Sequence, residues 1–159
     1  MGNQLDLPER ILHLRNVDLF QDLPVNELAA VALVATEVDA PPETIMFTKD
    51  CDCEGFYVIV SGEVAVEQNG GTDNQVTQYT TWEAGQSFGM AALFQDHKMN
   101  MIVRTTVDSV FLRIEREEFH AIIREYPEIA LRTCQVLSTR MGLLLEQLNL
   151  AHNHAAPAA

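Results

Sequence analysis

The sequence predicts a mainly β domain with helices at both ends. Three observations carry this prediction. Apolar residues recur at helical spacing near each terminus, the middle of the chain alternates polar and apolar residues in short runs, and turn signals separate those runs. Many short strands at regular spacing are typical of a sandwich or a barrel. The 159 residues, 47% of them hydrophobic, suffice for one domain with its own core.

Two helices are predicted ahead of the strands. The first covers Leu7–Leu14 and has Pro8 in its first turn, where proline costs a helix nothing. The second covers Pro24–Leu33 and carries apolar residues along one side. The intervening residues 16–23 form a tight connector. This entry predicts a small helical layer packed against the strands that follow.

Six strands are predicted in the middle of the chain. Ala40-Pro41-Pro42-Glu43 is a turn signal before the first, and Asn69-Gly70-Gly71 predicts a hairpin between the third and the fourth. Ser61-Gly62 interrupts the apolar run between the second and the third. The predicted strands are Thr44–Phe47, Phe56–Val60, Glu63–Glu67, Val76–Trp82, Ile102–Thr106 and Val110–Ile114.

Two more helices are predicted after the strands, Arg116–Arg124 and a long one from Glu128 to about Ala151. The long helix has an apolar seam whose members alternate spacings of three and four. This seam could pair with a second chain in a homodimer or lie across the strands as a lid, and we expect the homodimer. We place the domain at residues 7–151, between flexible tails at 1–6 and 152–159. The seam residues are Cys134, Leu137, Met141, Leu144 and Leu148.

Composition excludes several functions. The net charge of −13 disfavours nucleic acid and anionic membranes as direct partners, because both need clustered cations. No apolar run approaches the ~20 residues that span a bilayer, so no membrane insertion is expected. Three cysteines and no signal peptide predict a cytoplasmic protein with reduced thiols. Cys51 and Cys53 lack zinc-site spacing, so no metal is expected, and no catalytic motif indicates an enzyme.

The segment Trp82–Phe94 carries the clearest local signal. It contains a strand end, a glycine turn at Gly85, a second glycine at Gly89 and a short apolar helix. Backbone N–H groups at such a turn point outward and can hold an anion. The segment therefore predicts a phosphate-binding geometry made by the main chain.

Three motifs in order resemble the cyclic-nucleotide-binding domain family. They are the strand pair Phe56–Val64 that turns at a glycine, the entry Gly85–Gly89, and the helix start Arg116–Phe119. The resemblance runs from about Leu12 to Leu148. It implies an eight-stranded double-stranded β-roll, jelly-roll-like, with N-terminal helices and a long C-terminal helix. It further implies a non-enzymatic regulatory domain in signal transduction, with cAMP or cGMP as ligand and Trp82–Phe94 as the start of its phosphate-binding cassette.

The cassette departs from the family pattern at the two positions that hold the nucleotide. After Phe-Gly the family usually has a Glu for the ribose 2′-hydroxyl, and here Met90 follows. Later an Arg pairs with the cyclic phosphate. Counting forward places that position at Met99 and counting back places it at Asn100, so neither candidate is a cation. The turn before Phe56 has Asp50 where the family has glycine, and Asp tolerates a left-handed turn.

These departures predict weak or lost binding of cAMP or cGMP. Lys98 or Arg104 reaching the phosphate from an unusual position would restore it. The alternatives are an interaction or dimerisation module without a ligand, and a sensor of a different small effector in a methionine-lined pocket. The chain's entry also resembles one that follows a membrane transporter or helical repeats, so we expect a domain of a larger protein. The expected cassette residues are Phe88, Gly89, Met90, Ala91, Ala92, Leu93, Met99, Asn100 and Met101.

Overall fold

The computed structural model describes residues 4–53, 55–69, 76–94 and 98–155. Within these residues, eight strands form two four-stranded antiparallel sheets with helices at both ends, which confirms the predicted β-roll. The helices are α1 (Leu7–Arg15), α2 (Val25–Val34), α3 (Arg116–Glu125) and α4 (Pro127–Ala155). The strands are β1 (Thr36–Ala40), β2 (Ile45–Phe47), β3 (Gly55–Ser61), β4 (Glu63–Asn69), β5 (Val76–Glu83), β6 (Ser87–Phe88), β7 (Met101–Thr105) and β8 (Ser109–Glu115).

The start of α1 is tied to the sheet. The Asp6 carboxylate accepts a hydrogen bond from the Glu9 N–H and the Glu9 carboxylate accepts one from the Asp6 N–H, both at 2.9 Å. This reciprocal capping box satisfies two donors that a helix start leaves unpaired. The Leu5 N–H donates to the Glu37 carboxylate in β1 at 2.8 Å. The last residues before α1 are therefore held against the first sheet.

The chain changes sheets between β3 and β4. The strand orders are β1-β8-β3-β6 in the first sheet and β2-β7-β4-β5 in the second. Gly62 makes the turn with φ +93°, and a β-carbon added there would lie 2.7 Å from the Ser109 α-carbon. Only glycine combines that conformation with that approach. The predicted glycine break in the apolar run is thus where the roll closes.

The side chains pack in two cores. The outer core lies between the first sheet and the helices and contains Phe20, Leu28, Phe56 and Leu112. The inner core lies between the two sheets and contains, among others, Phe47, Ile59, Val66, Phe88, Val103 and Phe111. The first sheet is therefore buried on both faces, while the second faces the core on one side only.

Two strands were not predicted. β1 has a single large apolar residue, Val38, among polar neighbours, so its alternation is too weak to indicate a strand. It is held by pairing with β8 over five residues, which is a long-range contact. β6 is only two residues long, which is too short to give a pattern in the sequence.

Two other predictions differ from the structure or fall outside it. α4 continues to Ala155, four residues beyond its predicted end. The predicted hairpin turn at residues 70 and 71 lies outside the described residues.

Candidate functional site

The cassette has the local geometry that the sequence predicts. β6 ends at Phe88, Gly89 takes φ +85°, and a 3₁₀ helix runs over Met90–Leu93, here called the cassette helix. A β-carbon added at Gly89 would lie 2.5 Å from the Gly55 carbonyl oxygen. Real β-carbons do not approach a backbone oxygen so closely. This position therefore requires glycine for two reasons, its positive φ and its close approach to Gly55.

The cassette helix joins the two cores. Phe88 and Ala92 pack in the inner core, while Leu93 packs in the outer core. Met90 is partly buried against the outer core, and Ala91 is exposed. The cassette helix is only four residues long, but its apolar side chains pack into both cores and hold it in place.

The three methionines of the cassette divide between the cores. Met90 contacts the outer core, whereas Met99 and Met101 belong to the inner core. Met99 is 5% exposed, and Asn100 beside it is exposed. Of the two positions predicted for the family's arginine, one is thus a buried apolar residue and the other faces outward as an uncharged amide.

The two cations predicted as substitutes both lie outside the inner core. Lys98 is exposed and bridges Asp52 through the backbone. Arg104 lies on the opposite face of β7 from the buried Val103, because side chains alternate along a strand. Its guanidinium lies 3.3 Å from the Glu43 carboxylate and 3.0 Å from that of Glu67. The structure therefore brings neither cation to the inner face of the roll.

The turn before β3 takes the predicted left-handed form. Asp50 has φ +62°, and its N–H donates to the Met99 carbonyl at 2.8 Å. Three residues later, the Cys53 thiol donates to the Gly55 carbonyl at 3.2 Å. Burial raises the pKa of that thiol above its ordinary value. Asp50 thus adopts the left-handed backbone region that the sequence predicts for this turn.

Aromatic rings fill the interior next to the cassette. Phe88 stacks on Tyr57 with centroids 5.3 Å apart, and Phe47 meets Phe88 edge-on at 5.2 Å. Phe111 and Trp82 complete the cluster, with centroids 5.9 and 6.1 Å from that of Phe88. Burial raises the pKa of the Tyr57 hydroxyl, with the nearby Arg113 opposing it. The rings occupy the inner core where the two sheets face the cassette.

Two residues of α3 hold the end of the cassette helix, and sequence reasoning missed both. Arg116 donates from Nε to the Ala92 carbonyl and from Nη2 to the Cys53 carbonyl. His120 Nε2 lies 2.6 Å from the Leu93 carbonyl oxygen, which can only accept. Their spacing of four places them on one face of α3, and that was the only sequence signal available. The cassette is thereby linked directly to the helix that leads into α4.

α4 contacts the cassette through a third unpredicted residue, Arg140. One guanidinium nitrogen lies 2.7 Å from the Asp18 carboxylate and another lies 4.0 Å from the Met90 sulfur. Beyond Arg140, the described side chains of α4 are exposed. The structure thus brings the predicted seam together along one side of a protruding helix. Its members Cys134, Leu137, Met141, Leu144 and Leu148 are all exposed.

In the part of the chain that the structure describes, no group of three or more His, Cys, Asp or Glu is placed to hold a metal ion. No described helix is both long enough and apolar enough to cross a bilayer.

A β-roll with a glycine-led cassette, linked through one short helix to a long terminal helix, defines a regulatory ligand-binding type of domain. The family model described as "Cyclic nucleotide-binding domain" matches residues 37–126, more than half of the chain. The chain therefore belongs to the cyclic nucleotide-binding domain family.

Solved structures agree on the fold. The chain is similar to the Thermus thermophilus catabolite activator protein, at 21% identity and a TM-score of 0.73, over 85% of this chain and 63% of that one. It is similar to the regulatory domain of Toxoplasma gondii PKA, crystallised with cAMP, at 21% identity and a TM-score of 0.65, over 79% and 48%. The sensor domain of the regulator DNR from Pseudomonas aeruginosa matches at 18% identity and a TM-score of 0.68, over 88% and 93%.

One curated relative matches in sequence. It is the cGMP-dependent 3′,5′-cGMP phosphodiesterase A of Dictyostelium discoideum, 24% identical over 113 residues. The match covers 71% of this chain but only 12% of that enzyme, so the similarity concerns a small part of the relative.

Proposed function

We propose that this chain is a non-catalytic regulatory domain that binds cAMP or cGMP weakly or not at all. The observation that carries the proposal is the fate of the two positions that hold the nucleotide in the family. Met90 packs against the outer core, and Met99 is buried in the inner core. Neither side chain offers the carboxylate or the guanidinium that pairs with ribose and phosphate.

The expected loss of affinity is large. Removing one partner of a buried, hydrogen-bonded charge pair costs about 2–5 kcal/mol of binding free energy. Removing the acceptor for the ribose hydroxyl costs about 1–3 kcal/mol more. Because each 1.4 kcal/mol is tenfold in affinity, these losses move a micromolar ligand to about millimolar or weaker. Arg104 offers little compensation, since it would have to leave Glu43 and Glu67 and cross to the other face of β7.

Ligand titration read by tryptophan fluorescence tests this proposal. The chain has one tryptophan, Trp82, and its ring stacks on Phe88 one residue before Gly89, so fluorescence reports on the cassette. We expect no saturable change and no shift of the melting temperature with cAMP or cGMP at about 1 mM. Micromolar affinity for either nucleotide would overturn the proposal.

A gain-of-function variant supplies the positive control. Met90→Glu with Met99→Arg returns both charged groups, and Met99 is chosen because its side chain lies in the inner core, whereas that of Asn100 faces outward. We expect the double variant to bind cAMP at least about tenfold more tightly than the unmodified chain. Equal affinity of the two proteins would show that the replaced side chains do not limit binding.

One further observation favours a second candidate function, an interaction or dimerisation module. The seam of α4 exposes five side chains at regular spacing, and an exposed apolar stripe of this kind marks an interaction surface. The exposure favours pairing with a second chain over the lid alternative, in which the same residues would be covered. Mass measured by light scattering across a hundredfold concentration range tests it. A dimer mass supports the module, and a monomer mass throughout excludes homodimerisation.

A further inference from the structure

A groove separates the connector of residues 16–23 from α4, and one ion pair crosses it. The pair joins Asp18 to Arg140, with 2.7 Å between the carboxylate and the guanidinium. Cavities of about 300 and 290 Å³ lie on its two sides, and both residues line both cavities. Each cavity is large enough for a small organic molecule. The ion pair therefore divides one longer groove into these two cavities. The groove lies outside the inner face of the roll.

The α4 side of this groove carries guanidinium groups whose hydrogen-bonding capacity is unmet. Arg140 has one strong acceptor, Asp18, while its Nη1 faces the Met90 sulfur at 4.0 Å, and a thioether is a weak acceptor. Arg132, two turns earlier on the same helix, has a buried Nε without a partner among the described residues. Two of the chain's ten Lys and Arg residues thus line one groove on its α4 side, facing Asp18 and the exposed Asp22 of the connector. This concentration of unsatisfied donors favours an anionic occupant.

The smaller cavity offers a wall for a planar ring. Trp82 lines it together with Gln86, Ser87 and Arg140. The indole is held in place by two contacts, since it stacks on Phe88 and its residue pairs with Val64 across β4 and β5. A fixed aromatic ring beside a guanidinium favours a ligand that is planar at one end and anionic at the other.

We propose that this groove binds a small organic oxyanion carried on a planar ring, such as an aromatic carboxylate or a phosphate monoester. The oxyanion pairs with Arg140 in place of Asp18, and the ring lies against Trp82. Asp18 acts as the internal competitor. Since both members of the Asp18–Arg140 pair are partly exposed, with side chains 39% and 63% accessible for Arg and Asp, that pair contributes little and an anion can replace the carboxylate.

Titrations with phenyl phosphate, benzoate and inorganic phosphate, read by Trp82 fluorescence, test the proposal. We expect both ring-bearing anions to bind at least about tenfold more tightly than inorganic phosphate, because they add the ring contact. The relative affinities of phenyl phosphate and benzoate then tell which oxyanion the groove prefers. Equal affinity of all three anions would overturn the proposal by removing the role of Trp82.

Charge variants give the sharper test. Arg140→Gln should weaken binding of the ring-bearing anions at least about tenfold, and Asp18→Asn should strengthen it about threefold or more by removing the competitor. Arg104→Gln is the matched control, because it removes the same charge from a surface outside the groove. Arg140→Lys, which keeps the charge but loses the planar fork, should fall between. An Arg140→Gln response equal to that of Arg104→Gln, in proteins with unchanged circular dichroism, would overturn the site.

One variant separates this site from the cassette. Met90→Glu places a carboxylate beside Arg140 Nη1, so it should weaken the ring-bearing anions while it favours cyclic nucleotide. Opposite effects on phenyl phosphate and cAMP support two distinct sites. Parallel effects on both ligands would show that the groove is only an extension of the cassette and would overturn the proposal of a separate site, whatever the absolute affinity for cAMP.

Discussion

The inner core and the seam of α4 are built from the same kinds of side chain but use them in opposite ways. Phe88 and Met99 are 4% and 5% exposed, whereas Leu144 and Leu148 are 59% and 65% exposed. In the inner core, apolar residues fill the space next to the cassette and stabilise the fold. On α4 they leave a surface that gains free energy only when something covers it. The difference places the stabilising apolar contacts in the roll and an uncovered apolar surface on the helix.

α4 itself shows where one use gives way to the other. Ile129 is fully buried and Thr133 almost so, which fixes the start of the helix to the outer core. Arg140 makes the last ion pair to the connector, and from Met141 onward the described side chains are exposed. The contacts between the cassette helix and the terminal helices thus run through Arg116 and His120 of α3 and through Arg140 of α4.

The largest expected effect is on the stability of the roll, at the cassette glycine beside the inner core. Gly89→Ala forces φ +85° on an L residue and drives a β-carbon to 2.5 Å from the Gly55 carbonyl oxygen. Strain and overlap together should lower the free energy of unfolding by about 3 kcal/mol or more. The melting temperature should fall by roughly 10 °C, measured by circular dichroism.

Gly85→Ala is the matched control for that variant. Gly85 has a similar φ of +90°, but a β-carbon there meets nothing within 4 Å. The change should cost only the backbone strain, about 1–2 kcal/mol. Equal destabilisation by the two substitutions would contradict the close approach between the cassette and Gly55.

The second prediction concerns the exposed seam of α4. If a second chain covers the seam, Leu144→Glu with Leu148→Glu puts two charges into the interface and should raise the dimer dissociation constant at least about a hundredfold. Light scattering would then show a monomer at concentrations where the unmodified chain is a dimer. Thr139→Glu, exposed on the face of α4 opposite the seam, should leave the mass unchanged. A dimer mass in the double variant would place the interface elsewhere.

Much of the fold was predictable because local patterns and tertiary packing agree. The six predicted strands and all four helices are present with ends shifted by a few residues, since alternation and helical spacing record which face is buried. β1 was missed because its polar sequence shows no such face, and its pairing with β8 is a long-range property. The left-handed turn at Asp50 was predictable from the tolerance of aspartate for that region.

The site was less predictable because its contacts join distant parts of the chain. The glycine-led cassette is a local motif, and it was found. Arg116 and His120 act through backbone carbonyls, which leave no pattern in the sequence, and Arg140 meets Asp18 from 122 residues away. Arg104 illustrates the reverse problem, because its sequence neighbourhood suggested the cassette while strand parity turns it outward.

The smallest expected effect tests whether the inner core excludes water. Burial raises the pKa of the Cys53 thiol above its ordinary value, so the thiol of the unfolded chain loses its proton first as the pH rises. The stability that the neutral buried thiol contributes is therefore complete below about pH 9 and declines as the pH rises further. Cys53→Ala should flatten the decline in melting temperature between about pH 8 and pH 10. Cys134→Ala, which removes an exposed thiol from the seam, should leave that slope unchanged. Equal slopes in the unmodified chain and both variants would mean that water reaches the inner core as freely as it reaches α4.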